Sequence, residues 1–229
     1  MAELEEHVCE KANSLLKGKT HIKLLEAGCG SASHIQFDAE VHVVGIDISS
    51  EELAKNTSVN EKILGDIQEY SLPQNEFDVV ICWMVLEHLP RPKDALLNLS
   101  RTVRPQGLLI LGFPNLLSVK GIVTKFTPFW FHELFYKFMK YKSRHFPTFL
   151  RTDILPKNIV RFAERNGFSV ELCELVEGGV SKKVRTRFRL ADAAFSGIDA
   201  MTRVFSFGEM QSPLLDNCGV VLRKRASNV

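Results

Sequence analysis

At 229 residues, 45% hydrophobic and 24% charged, the chain has the length for one domain with a full core and a globular composition, not a disordered or fibrous one. The formal net charge of +2 is too small to argue by itself for a nucleic-acid partner. Five cysteines, an odd number with no CxxC pair, provide neither a disulfide framework nor a zinc spacing, so a reducing compartment is expected.

The first twenty residues are acidic and amphipathic, and residues 3–17 read as a helix with Leu4, Val8, Ala12, Leu15 and Leu16 on one face and Gly18 as its stop. They hold no apolar h-region, and no apolar run of transmembrane length follows, so a cytoplasmic location is expected, with membrane contact left open. Short apolar runs then recur: IKLLEA (22–27), VHVVGI (41–46), EKILG (61–65), FDVVIC (77–82) and LLILGF (108–113). A helical repeat at 92–103 carries Ala95, Leu96, Leu99 and Val103. Strands alternating with helices predict βαβ units, a mostly parallel sheet and an α/β fold with helices on both faces.

Residues 115–151 interrupt the rhythm. They hold ten of the chain's 21 aromatic residues (16 Phe, 3 Tyr, 2 Trp), seven Lys or Arg and one acid, Glu133. The expectation is an insertion of short helices. Residues 152–168 return to a helix ending at Gly167, a strand is expected near 168–175, residues 182–189 (KKVRTRFR) alternate basic with other residues, and 217–225 read as a last strand. The division expected is a single domain, 1–229: an N-terminal helix (1–20), a ligand-binding core (21–114), a cap insertion (115–151) and the C-terminal part of the sheet (152–229).

The stretch LLEAGCGSASH (24–34) carries Gly28 and Gly30 after a predicted strand, where a sharp turn must approach a ligand without a Cβ. Ser33 stands where a dinucleotide fingerprint has its third glycine. Asp47, seventeen residues beyond Gly30, ends the second strand; it either accepts ribose hydroxyls or caps the helix starting near Ser49 or Ser50. Glu26 before the glycines and Asp66 after the third strand would oppose a pyrophosphate and suit a ligand with an ammonium group and no phosphate. S-adenosylmethionine has that make-up.

LLEAGCGSA, VVGIDIS, GDIQEY and FDVVICWMVLEHLPRPKDALLNLSRTVRPQGLLILGFPN resemble the successive motifs of the class I S-adenosylmethionine-dependent methyltransferases, most closely the ubiquinone/menaquinone-biosynthesis-like small-molecule group. The resemblance covers about 22–114 and weakens toward 175. It implies a Rossmann-like fold with a seven-stranded sheet and S-adenosyl-L-methionine as cofactor. It further implies that Glu26, Gly28 and Gly30 line the methionine part, Asp47 holds the ribose with Ile48 against the adenine, Asp66 accepts from the adenine amino group with Ile67 beside it, and Cys82 and Trp83 close the site near the methyl group. Core packing is the alternative reading for Trp83. His88, in LEHL, is the first candidate base for an oxygen acceptor and His132 in the insertion the second, the alternative for Glu87 and His88 being a polar helix start before Pro90. Ubiquinone O-methyltransferases carry an acid three residues before the Glu-His pair; Met84 stands there, so no metal is expected. Gln106 replaces a usual glycine in RPQG, a turn variant.

The activity expected is O-methylation of a small molecule or of a lipid- or sugar-linked, glycolipid-like acceptor. The alternatives are N- or C-methylation of a natural product, a nicotinamide-dependent oxidoreductase, which the missing glycine and the extra acids count against, and a non-catalytic S-adenosylmethionine-binding module. For residues 115–151 the readings are a lid over a bulky apolar acceptor, a helix on an anionic membrane surface, and a cap core with solvated lysines. Nucleic acid is disfavoured because no binding signature is present. The oligomeric state is not legible.

Overall fold

The structure is a computed structural model that describes residues 2–31, 37–118, 149, 151–179, 182 and 215–226. In chain order, α1 (Ala2–Leu15) leads to β1 (His21–Ala27), β2 (Glu40–Asp47), α2 (Ser50–Lys55), β3 (Glu61–Leu64), β4 (Phe77–Trp83), a 3-10 turn (Leu86–His88), α3 (Pro92–Thr102) and β5 (Val103–Pro114). A second 3-10 turn (Thr152–Ile154), α4 (Pro156–Arg165), β6 (Phe168–Val176) and β7 (Asn217–Lys224) follow. The seven strands form one sheet in the order β3-β2-β1-β4-β5-β7-β6. The first five are mutually parallel, and β7 runs antiparallel to both its neighbours. This is the Rossmann-like class I methyltransferase arrangement expected from the motifs.

Apolar side chains alternate between two core layers, as a pleated strand requires. Leu25, Val80, Cys82 and Leu109 face the layer that holds Leu96 of α3 and Ile159 of α4. Leu24, Val79, Ile81 and Trp83 face the layer that holds Leu4, Val8 and Ala12 of α1. Every residue of β4 is buried, which explains its unbroken apolar run. Among the described residues no helix is long and apolar enough to cross a membrane.

Two glycines flatten the sheet in its second layer, one under Trp83 and one under α1. Gly112 of β5 and Gly219 of β7 are register partners, forming a flat strip across the second layer. A Cβ at Gly112 would come within 2.4 Å of the Trp83 ring, and one at Gly219 within 2.9 Å of Leu4. His7 then hydrogen-bonds Glu174 on β6 at 3.0 Å. At the opposite end of β4, buried Asp78 accepts from Lys19, from the Lys23 N–H (3.0 Å) and from Arg104 (2.9 Å), joining the approach to β1, β1 itself and the start of β5.

Two expected elements differ. The helix expected over 152–168 divides because Pro156 holds Leu155 extended (φ −63, ψ 139) and takes the first-turn position of α4. Strand β5 starts at Val103, five residues before the apolar run, pairs with Phe77, and then shifts register so that Leu108 meets Val79. The extra residues bulge as Arg-Pro-Gln-Gly, with Gln106 at φ 65, in the left-handed region. A side chain there costs about 1–2 kcal/mol, partly offset by glycine's larger entropy loss of about 0.5–1 kcal/mol. Gln106→Gly is therefore expected to raise the melting temperature by about 1–4 °C, read by differential scanning calorimetry.

Candidate functional site

The site forms where the C-terminal ends of β1, β2 and β4 meet. After β1 the chain turns through Gly28 (φ 72) and Gly30 (φ 47), both left-handed. The Gly28 and Cys29 N–H groups donate to the Ile46 carbonyl at 2.8 and 3.2 Å, tying the turn to β2. From behind, the fully buried Asn56 amide donates to the carbonyls of Cys29 (3.2 Å) and Gly30 (3.1 Å). The two glycines serve different ends. A Cβ on Gly28 would fall 2.4 Å from Val85 Cγ2, whereas one on Gly30 would meet nothing within 4 Å among the described residues. Gly28 is packed; Gly30 borders open space.

Asp47 lies against that space. Its Oδ2 accepts from the Gly30 N–H at 2.9 Å and its Oδ1 from the Ser49 N–H at 2.8 Å. The capping of α2 falls to Ser49, whose hydroxyl accepts from the Glu52 N–H at 3.2 Å. The carboxylate has about four acceptor positions, and these two bonds occupy two of them. Ile48, one residue on, is 73% exposed. Burial, then the carboxylates of Asp47 and Glu26, push the Cys29 thiol up to about 12. The glycine turn thus sits in a negative field, and Glu26 itself is buried at the end of β1.

After β3, Asp66 accepts from the Gln68 N–H (2.8 Å) and from the Gln68 amide at both oxygens (2.9 Å). Asn98 of α3 holds this turn through the carbonyls of Ile67 (3.0 Å) and Tyr70 (2.8 Å). At the end of β4, Met84 takes φ 54, and the 3-10 turn presents His88, partly exposed, with Nε2 3.9 Å from Glu87 Oε1. The Phe149 N–H donates to the Glu87 carbonyl at 2.8 Å, so the chain is back at this turn near the end of the 115–151 stretch.

Residues 25–111 match the family of methyltransferase domains. Over that stretch the chain is similar to methyltransferase domains. It is 31% identical over 156 residues to the ubiquinone biosynthesis O-methyltransferase of Haemophilus ducreyi, across 58% of this chain and 64% of that one. It is 35% identical over 101 residues to the mitochondrial ubiquinone biosynthesis O-methyltransferase of Schizosaccharomyces pombe, across 39% of this chain and 36% of that one. The chain therefore spans less than two thirds of the length of either relative. In fold it is similar to the crystal structure of an S-adenosylmethionine-dependent methyltransferase from Mesorhizobium loti, with a TM-score of 0.53 and 14% identity over 94% of this chain and 96% of that one.

Within the matched stretch, Glu26, Gly28, Gly30 and Asp47 come together around one turn. Ile67 is 4% exposed and belongs to the core layer of α3. Cys82 points into the same layer with no exposed surface, and burial, with the Glu87 charge, pushes its thiol far up. A ligand at this strand end would therefore meet the backbone of Cys82. Trp83 points to the opposite layer, over Gly112, and its indole Nε1 is buried with no hydrogen-bond partner. His132, most of 115–151 and the basic run at 182–189 apart from Lys182 lie outside the described residues. No group of three His, Cys, Asp or Glu is placed to hold a metal among the described residues.

The sequence reading passed over Asn56 and Val85. Asn56 ends α2, a routine place for a polar residue, and nothing local shows that its amide faces a loop 26 positions earlier.

Proposed function

We propose that the protein transfers the methyl group of S-adenosylmethionine to an oxygen of a small molecule or of a lipid- or sugar-linked acceptor. The observation that carries this reading is the open glycine turn at Gly30, with Asp47 and Glu26 giving it a negative field. A pyrophosphate there would be repelled, whereas a sulfonium and an ammonium would be attracted. The residues fit such a group: space where a Gly30 Cβ would stand, acceptor positions left on Asp47, apolar surface on Ile48, and the unpartnered Trp83 N–H at the next strand end.

S-adenosylmethionine supplies an electrophilic methyl group on a positively charged sulfur. Asp47 would hold the ribose hydroxyls, Ile48 would cover one adenine face, and Asp66, oriented by Gln68, would accept from the adenine amino group. Glu26 would attract the ammonium end. His88 would accept the proton of the acceptor hydroxyl. Holding donor and acceptor in line contributes up to about 7–11 kcal/mol, and a positioned base about 10²–10⁴-fold more. The stretch from 115 to 151 leaves the sheet at the end of β5 and returns at Phe149 on the His88 turn, which supports a cap over the acceptor. O-methylation is also what the two relatives are named for.

Isothermal titration calorimetry is expected to show S-adenosylhomocysteine binding tightly and NAD weakly or not at all. In Asp47→Ala the affinity should fall by about 1–3 kcal/mol, the cost of leaving ribose hydroxyls unpaired. Tighter binding of NAD would overturn the reading.

His88→Ala is expected to lower turnover by about 10²-fold or more while leaving S-adenosylhomocysteine affinity within about twofold. The measurement is S-adenosylhomocysteine release from S-adenosylmethionine in a metabolite extract. Unchanged turnover would make His88 a structural residue.

A further inference from the structure

On the α4 side of the sheet, between α4, β6 and the residues just after β5, lies a cavity of 410 Å³. Its walls include Leu117, Val160 and Cys173, and it is bordered by Lys157, Arg161 and Glu164. The α4 residues fall at i, i+3, i+4 and i+7, so one exposed helical stripe forms the rim. Cys173 is exposed, whereas Cys29, Cys82 and Cys218 are buried and Cys9 is half-buried.

Cys173 is not an isolated thiol. It sits opposite Val220 on β7, two positions from Cys218 and on the same face. Cys218 is fully enclosed. The hydrogen bond from Cys218 brings the Cys173 thiol down to about 7 against the opposing effect of burial, while the same contact, then burial, drives Cys218 far up. Cys218 therefore stays a protonated donor.

We propose that Cys173 is a site of reversible thiol–disulfide exchange with small anionic disulfides of the glutathione type, whose carboxylates are held by Lys157 and Arg161. The Cys173 thiolate attacks one sulfur of the disulfide. A protein–glutathione S–S bond forms as the original S–S bond breaks, and the departing thiolate takes a proton from water. The protein thiol is oxidised, one glutathione is released reduced, and no other oxidant is needed. The adduct fills the space between α4 and residues 115–117.

Acidity alone explains little of this. Lowering a thiol from about 8.5 to about 7 raises its thiolate fraction at pH 7 about 15-fold, but weaker nucleophilicity returns about 5-fold, leaving about 3-fold. Selectivity rests on access and on the two cations.

The test treats the full chain with glutathione disulfide or with cystamine, a cationic disulfide, and maps adducts by peptide mass spectrometry. Glutathione is expected on Cys173 alone, with none on Cys173→Ser. In Lys157→Gln/Arg161→Gln, two exposed positions, the ratio of the glutathione disulfide rate to the cystamine rate should fall by about fivefold or more with an unchanged circular dichroism spectrum. An unchanged ratio, equal labelling of Cys9, or collapse of the adduct to a Cys173–Cys218 disulfide would each overturn the proposal.

Discussion

Replacing Asp78 with alanine is expected to lower the unfolding free energy by about 2–4 kcal/mol, read as a shift in urea midpoint at constant slope. The side chain is buried and accepts from the Lys23 N–H, Lys19 and Arg104. Its loss orphans the Lys23 N–H, at about 1–3 kcal/mol. The cations count for less, because Lys19 and Arg104 are 45% and 40% exposed and regain water, so each pair contributes about 0–1 kcal/mol. Asp78→Asn retains one acceptor and should lose roughly half as much. The effect depends on pH with a definite sign. Burial raises the Asp78 pKa, but the Lys19 hydrogen bond, the Lys23 N–H and the nearby charges outweigh it and hold the group below its ordinary value. Its stabilisation is therefore complete above about pH 4 and is lost as pH falls through the lowered folded pKa. The gap between wild type and Asp78→Ala should close in strong acid and stay constant from pH 5 to 8.

Gly28→Ala and Gly30→Ala are expected to fail in different ways. Both place a side chain in the left-handed region, at about 1–2 kcal/mol each. Gly28→Ala adds a 2.4 Å approach to Val85, a β-branched side chain with little freedom to turn away, at about 1–3 kcal/mol more. Because Val85 immediately precedes the 3-10 turn of His88, turnover should fall together with stability. Gly30→Ala meets no atom of the described residues, so its stability loss should stop at the strain, yet S-adenosylhomocysteine affinity should fall by about tenfold or more, since the new methyl occupies the space assigned to the ligand. Thermal unfolding and calorimetry on both variants separate the effects. If Gly30→Ala binds as wild type does, the ligand lies elsewhere.

The five apolar runs were legible as strands because parallel strands covered on both faces leave few polar positions, and β4 is the clearest case. The start of β5 was not, since Arg-Pro-Gln-Gly carries turn residues and only the pairing of Val103 with Phe77 reveals that the strand has begun. At the site, the glycines and Asp47 were legible as a set. The manner in which Asp47 serves the turn was not, because its bond to the Gly30 N–H depends on the register of β1 with β2. Local sequence likewise says nothing of the left-handed Met84. The opposed directions of Cys82 and Trp83 follow from strand periodicity alone. Asn56 had no local signal, and the stretch around His132 lies outside the described residues.

The glycine strip under α1 bears on how the protein is born. Leu4 and Val8 seat against Gly219, more than two hundred positions later, and His7 against Glu174. At about 5–20 residues per second, the ribosome needs roughly 10–40 s to deliver that receptor after α1 has emerged. Through that interval the first helix carries an uncovered apolar stripe, while β1 to β5 can already pair. Docking α1 thus waits for β7, and until then the nascent chain presents this apolar stripe to chaperones.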